Sequence, residues 1–209
     1  MGRLTLFPAP LFLGIIRSLR NLRLRGRANG GHNGLGQFYI GLSGAGADQA
    51  AGTCEGLTQE EVLWRPAPYA NNIGFILWHM TRAEDNMATR LEGGTPQWVT
   101  GGWHEKFGQP VDSPDPGDRM GLQSLAIPDL PVLLGYCDAV GEQTRRLLSE
   151  LTADRLDESI GASRPEQTVA GTLRHMITHK NNHHGQVDYI LGLQNQTWDL
   201  PPGTGSVLA

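Results

Sequence analysis

From residue 37 onward the apolar positions recur at three- and four-residue steps, the spacing of a helix face, with no strand-like alternation and no internal repeat. Ile73, Ile76, Leu77, Met80, Ala83, Met87 and Leu91 form the clearest stripe. Asn71 or Asn72 supplies a cap before it, and Gly93-Gly94 stops it. A second stripe of Leu133, Tyr136, Cys137, Val140, Thr144, Leu147, Leu148 and Leu151 follows Asp129 as a cap and Pro131 in the first turn. A third, with Val169, Leu173, Met176, Ile177, Val187, Ile190 and Leu191, follows Thr168. An earlier helix is read over about Phe38 to Cys54, although Gly41, Gly44, Gly46 and Gly52 each weaken it by roughly 1 kcal/mol against Ala. Thr58 and Glu61 form a capping-box pattern that opens a short turn, which Pro66 and Pro68 end. Between the second and third helices lies a connection of about Thr95 to Pro128 holding five prolines, and a loop of that length inside a domain usually has a function. Long helices without strands predict an all-α chain, folded as an antiparallel four-helix bundle.

The N-terminal 36 residues break this pattern. Leu4 to Ile16 is apolar but short and contains Pro8 and Pro10, and most of the positive charge follows it instead of preceding it as in a secretory signal. The glycine-rich stretch Asn29 to Gly34 cannot sustain a helix. A poorly ordered extension, a targeting segment and a membrane-surface contact all fit residues 1–36. The chain is therefore divided into a basic extension at 1–36, a helical domain at 37–200 and a flexible tail at 201–209. The net charge of −4 conceals the same division. Six of the 17 basic residues lie in 1–47, where there is no acid, so the remainder carries 11 basic against 21 acidic residues, a balance of −10. An acidic body is a poor match for a phosphate backbone, so no nucleic-acid partner is expected. Two cysteines without paired spacing argue against a disulfide scaffold or a cysteine-based zinc site and suit a reducing, cytoplasmic compartment. No run of about 18 apolar residues is present, so stable membrane insertion is not expected.

The chemistry concentrates in the histidines. The fourth helix carries His175, His179 and His183 at successive four-residue steps, followed by His184. Residues four apart share a helix face about 5–6 Å from each other, so two imidazoles there can address one ion. Three successive turns span about 12 Å, so one ion cannot reach all three, and His175 is set aside. His184 points about 100° away from His183 and belongs to a rim or surface. A third ligand must come from another helix, and His79, at the border of the second stripe, is the candidate. Two readings stand for these residues: a three-histidine metal site, or a core histidine at 79 with a solvated pair on the fourth helix. Cys137 sits inside its apolar stripe and reads as a buried, inert thiol.

The run Asn71-Asn72-Ile73-Gly74-Phe75-Ile76-Leu77-Trp78-His79-Met80-Thr81-Arg82-Ala83-Glu84-Asp85 resembles the second-helix signature of the DinB-like superfamily. His179-Lys180-Asn181-Asn182-His183-His184-Gly185-Gln186 is similar to its fourth-helix signature, His-x-x-x-His-x-Gly-Gln. The segment Glu55 to Pro66 resembles the one after its first helix, and Gly102 to Phe107 the loop of one subgroup. The resemblance covers about residues 37–198 and implies an up-down-down-up bundle, often a homodimer. It further implies one divalent ion, zinc or nickel, held by His79, His179 and His183. Characterised relatives are S-transferases or isomerases that use a low-molecular-weight thiol such as mycothiol, bacillithiol or glutathione. His184 stands where an Arg or a small residue is often found, and residues 1–36 have no family counterpart. The implied chemistry is a metal-held thiolate attacking a small electrophile, with metal-activated hydroxide equally allowed and a non-catalytic metal- or ligand-binding stress protein as the competing class. Arg82, Trp103, His104 and Gln186 are the candidate substrate-binding residues. Gln186 and Glu84 are further read as partners behind the ligands, and Arg82 as either a carboxylate-binding group or a surface ion pair.

Overall fold

A computed structural model describes residues 39, 47–112, 114, 118–161 and 165–195. The expected extension at 1–36, the tail at 201–209 and most of the first half of the expected first helix lie outside these residues. What is described is all-helical, with one isolated antiparallel bridge between Ser159 and Thr168 and no strand among the described residues. The elements in order are α1 (Ala47–Cys54), α2 (Gln59–Leu63), α3 (Ile73–Glu92), α4 (Gln97–Thr100), α5 (Trp103–Lys106), α6 (Arg119–Gln123), α7 (Leu130–Glu150), a 3-10 turn (Ala153–Asp157) and α8 (Val169–Asn195).

The caps explain the boundaries. Thr58 and Glu61 complete the capping box of α2, with Thr58 N–H donating to the Glu61 carboxylate at 2.7 Å. Asn72 Oδ1 accepts from Phe75 N–H at 2.7 Å to open α3. Gly93, at φ 83°, closes it by donating its N–H to Thr89 at 2.7 Å, a backbone conformation that suits glycine. Thr168 Oγ1 accepts from Gly171 N–H at 3.1 Å at the start of α8. Asp129 departs from expectation. It occupies the cap position of α7, but its side chain makes no capping bond. Gln59 does the work from 71 residues away, accepting from Leu130 N–H and donating to the carbonyl of Pro128.

The described part of the connection between 95 and 128 holds three short helices, α4, α5 and α6, which its prolines did not suggest. Asp85, fully buried on α3, explains how it is anchored. Its carboxylate accepts from the N–H groups of Gln97 and Trp98, each at 2.8 Å, and from the Tyr136 hydroxyl at 2.7 Å. Two orphan donors at the start of α4 are thus satisfied from the core.

Helices α1, α3, α7 and α8 pack on one another around two apolar clusters. One gathers Cys54, Ile73, Ile76, Leu133, Tyr136, Val187 and Ile190, and the other Met87, Leu91, Leu147, Leu148, Val169, Leu173 and Met176. Between them lies a layer of buried polar residues, including Thr81, Glu84, Asp85 and Lys180. Cys137 is buried as expected, its sulfur 3.1 Å from Thr81 Oγ1, and burial pushes its thiol up to about 12.

Candidate metal centre

The polar layer opens outward at three histidines. His79 comes from α3 and His179 and His183 from successive turns of α8, and all three are half-buried. One nitrogen of each lies within 4.8 Å of the others. His79 Nε2 and His179 Nε2 are 3.1 Å apart. Two nitrogens each about 2.0–2.1 Å from a shared ion lie roughly 3–4 Å apart, so this pair is spaced as ligands are. The ring centroids are separated by 4.5 Å for His179 and His183, 4.8 Å for His79 and His183, and 5.0 Å for His79 and His179.

Protonation favours ligation. Burial, and then the proximity of His183, hold His79 below the ordinary histidine value. Burial followed by the neighbouring His183, His79 and His175 brings His179 down to about 4. Both rings are therefore neutral at pH 7, each with a lone pair. His183 Nδ1 lies 2.9 Å from Gln186 Oε1. An amide oxygen only accepts, so Nδ1 carries the proton and Nε2 is the nitrogen left to offer a lone pair to the triad. An all-imidazole set of nitrogen ligands fits a divalent ion, zinc and nickel among them. Phe75 lies parallel to His79, 6.1 Å between centroids, as an apolar wall on one side.

The other expected residues fall as follows. His175 is exposed, 5.9 Å from the His179 ring, and outside the triad. His184 turns to Asp188 at 3.6 Å. Arg82 is buried, so the surface ion pair weighed for it gives way to an interior one. Its guanidinium stacks over Trp98 at 4.5 Å and lies 3.7 Å from Asp85. Trp103 packs on Tyr136 at 5.4 Å and over Gly135, where a Cβ would sit 3.2 Å from the indole, and Lys106 covers its outer face. The ring contacts of Trp103 and those of the triad share no residue. His104 is half-buried and accepts from Gln109 N–H through its carbonyl. Glu84 is not behind a histidine: its carboxylate meets the ammonium of Lys180 at 2.7 Å, both groups buried.

Sequence reasoning passed over Asp85, Tyr136 and the Glu84–Lys180 pair. A signal for the last existed. Along α3 the buried positions 73, 77, 80, 84, 87 and 91 advance by alternating fours and threes, and along α8 the buried positions 169, 173, 176, 180, 187 and 190 keep the same rhythm, with half-buried His183 at the step between 180 and 187. A charge at step 84 and another at step 180, among buried positions that are otherwise apolar, mark two residues that need each other.

A family model described as the DinB superfamily matches residues 45–187. Among solved structures, the crystal structure of a conserved protein from Enterococcus faecalis matches with a TM-score of 0.66 at 21% identity, covering 77% of this chain and 97% of that one. At that identity the likeness speaks for the fold alone. No curated protein matches the chain. The chain belongs to the DinB superfamily.

Proposed function

We propose that this DinB-superfamily chain holds one divalent ion, zinc or nickel, between His79, His179 and His183, and uses it to activate a low-molecular-weight thiol for S-transfer to a small electrophile. The observation that carries this reading is the convergence of three half-buried imidazoles from two helices, with His79 and His179 spaced as ligands and held below the ordinary histidine value. Superfamily membership supports the metal-binding part. A bound ion supplies Lewis acidity, which lowers the pKa of a coordinated thiol and keeps it as thiolate near neutral pH.

The chain's own residues have separate tasks. Gln186 fixes the tautomer of His183 so that Nε2 faces the triad. Phe75 walls one side of His79 against water. Trp103 and His104 on α5 are the groups proposed to meet the cosubstrate, and Arg82 joins them with its charge already engaged by Asp85. No protein nucleophile is needed, and Cys54 and Cys137, both buried with thiols held up near 12, are unsuited to be one. Partial exposure of the triad favours an accessible site over a sealed, passive metal store.

The same reading includes an antiparallel bundle of up-down-down-up order. Residue order in the two apolar clusters supports it: the starts of α3 and α7 share a cluster with the end of α8, and their ends share the other with its start. A homodimer in a reducing cytoplasm, with 1–36 and 201–209 as appendages to the bundle, completes the proposal.

The test is thiol conjugation with metal-reconstituted protein, screening mycothiol, bacillithiol and glutathione against a panel of electrophiles. Turnover that requires metal and vanishes in His79→Ala is the expected result. Full metal binding without conjugation would favour the passive binder, and ester hydrolysis without thiol would favour a hydrolase.

A further inference from the structure

The buried ion pair between Glu84 and Lys180 lies in the same seam as the triad. Lys180 directly follows His179 and precedes His183 by three residues, while Glu84 follows His79 by five. The ammonium and carboxylate are 2.7 Å apart, and each side chain is 3% exposed. The two positions belong to the apolar steps of α3 and α8, where flanking residues such as Met80, Met87, Met176 and Val187 are buried hydrophobics. Glu84 Oε1 is also buried and has no hydrogen-bond partner among the described residues. A pair of this kind is a poor way to gain stability. Desolvating two charges offsets much of their attraction, apolar residues of similar size commonly do as well or better, and an unpartnered carboxylate oxygen adds a further cost.

What the pair supplies is direction. Apolar contact is non-directional and discriminates one helix register from the next less sharply than a directional bond does. Ligand distances at a metal tolerate only about 0.2 Å, whereas a slip of one residue moves a helix by about 1.5 Å. A charge-assisted bond at 2.7 Å between buried groups of α3 and α8 is satisfied only over a narrow range of helix offsets, and at the present offset the Nε2 atoms of His79 and His179 are 3.1 Å apart. We infer that Glu84 and Lys180 are positioning residues for the metal site, fixing the register of α8 against α3 so that the three histidines close on one ion. The inference rests on the metal-binding reading and extends it to two residues that touch neither ion nor substrate.

The experiment measures zinc affinity and metal-free melting temperature separately, on the full chain. The decisive variant is the apolar pair Glu84→Leu/Lys180→Met. It should melt within a few degrees of the parent or above it, yet bind zinc about 10–100-fold more weakly, the range over which outer-shell partners act. The swapped pair Glu84→Lys/Lys180→Glu should recover most of that loss. Should the apolar pair fail to fold, Glu84→Gln/Lys180→Gln is read in its place by the same two criteria. Parent-like zinc affinity in the apolar or amide pair overturns the inference, as does a melting temperature that falls in step with affinity or a folded swap that recovers nothing. Absence of zinc and nickel binding in the parent chain overturns the metal-binding reading itself, which separates the two failures.

Discussion

At Asp85 the donors brought into the interior meet an acceptor; at the triad three imidazoles meet chiefly one another. The two groups lie on the same helix, six residues apart from His79 to Asp85, and share the polar layer between the apolar clusters. Asp85 is fully buried and receives two backbone N–H groups, the Tyr136 hydroxyl and the Arg82 charge. Its partners Trp98 and Tyr136 pack on each other at a tilt, and Phe107 meets both rings edge to face. The triad is half exposed, and His179 Nδ1 is buried with no hydrogen-bond partner among the described residues. A buried carboxylate met by its donors serves the fold, whereas imidazole lone pairs turned toward one another call for something from outside.

The comparison breaks most readily at Asp85. Asp85→Ala leaves three donors without their acceptor and Arg82 without its counter-charge, and should cost about 3–5 kcal/mol in urea unfolding. Zinc binding by the fraction still folded should survive; its loss would mean that the two regions are one unit. His79→Ala is the mirror experiment. It should lower zinc affinity at least about 100-fold, roughly 2.7 kcal/mol, while the metal-free protein unfolds within about 1 kcal/mol of the parent. Full metal content in that variant, by elemental analysis, would refute a site shared between helices. Gln186→Leu should weaken zinc about 10-fold by freeing the His183 tautomer, and an unchanged affinity would remove Gln186 from the site.

A smaller effect comes from acid. The folded-state value of His179 is about 4 against an ordinary 6.5, so between those values the unfolded chain binds the proton and the folded chain does not. Metal-free protein should therefore keep this contribution above pH 6.5 and lose it as pH falls toward 4, with His79 acting in the same direction. Thermal melts of the parent and His179→Gln should diverge in slope only in that window; parallel curves would show that the ring carries no such penalty. The smallest effect expected is none: His175→Ala should keep parent metal content, and a clear loss would enlarge the ligand set.

Local chemistry was legible in the sequence, and distant pairing was not. The Thr58–Glu61 box and the Asn72 and Thr168 caps are bonds across three residues, written in adjacent letters. The three stripes and the four-residue spacing of His179 and His183 follow from helix period alone. His79 could be nominated because a pair of ligands requires a third. By contrast, Gln59 reaches Leu130 across 71 residues, displacing Asp129 from the capping role its position suggested. Asp85 organises α4 across 12 residues and Tyr136 across 51, through contacts that leave no periodic trace. Arg82 read as a carboxylate-binding group or a surface ion pair because its stacking partner, Trp98, lies in a segment whose prolines hid its helices.

His79 and His179 are 100 positions apart in the chain. An ion gripping both would close a loop of that length in any state that retained it. For a covalent bridge, a loop of about 100 residues removes roughly 4.7 kcal/mol of freedom from the unfolded chain in the entropic model. The triad would make the same closure reversible, since chelation opens what metal shuts. Fold stability would then rise with free-ion concentration as for any ligand that binds only the native state, and the lifetime of this chain would report how much metal its surroundings hold.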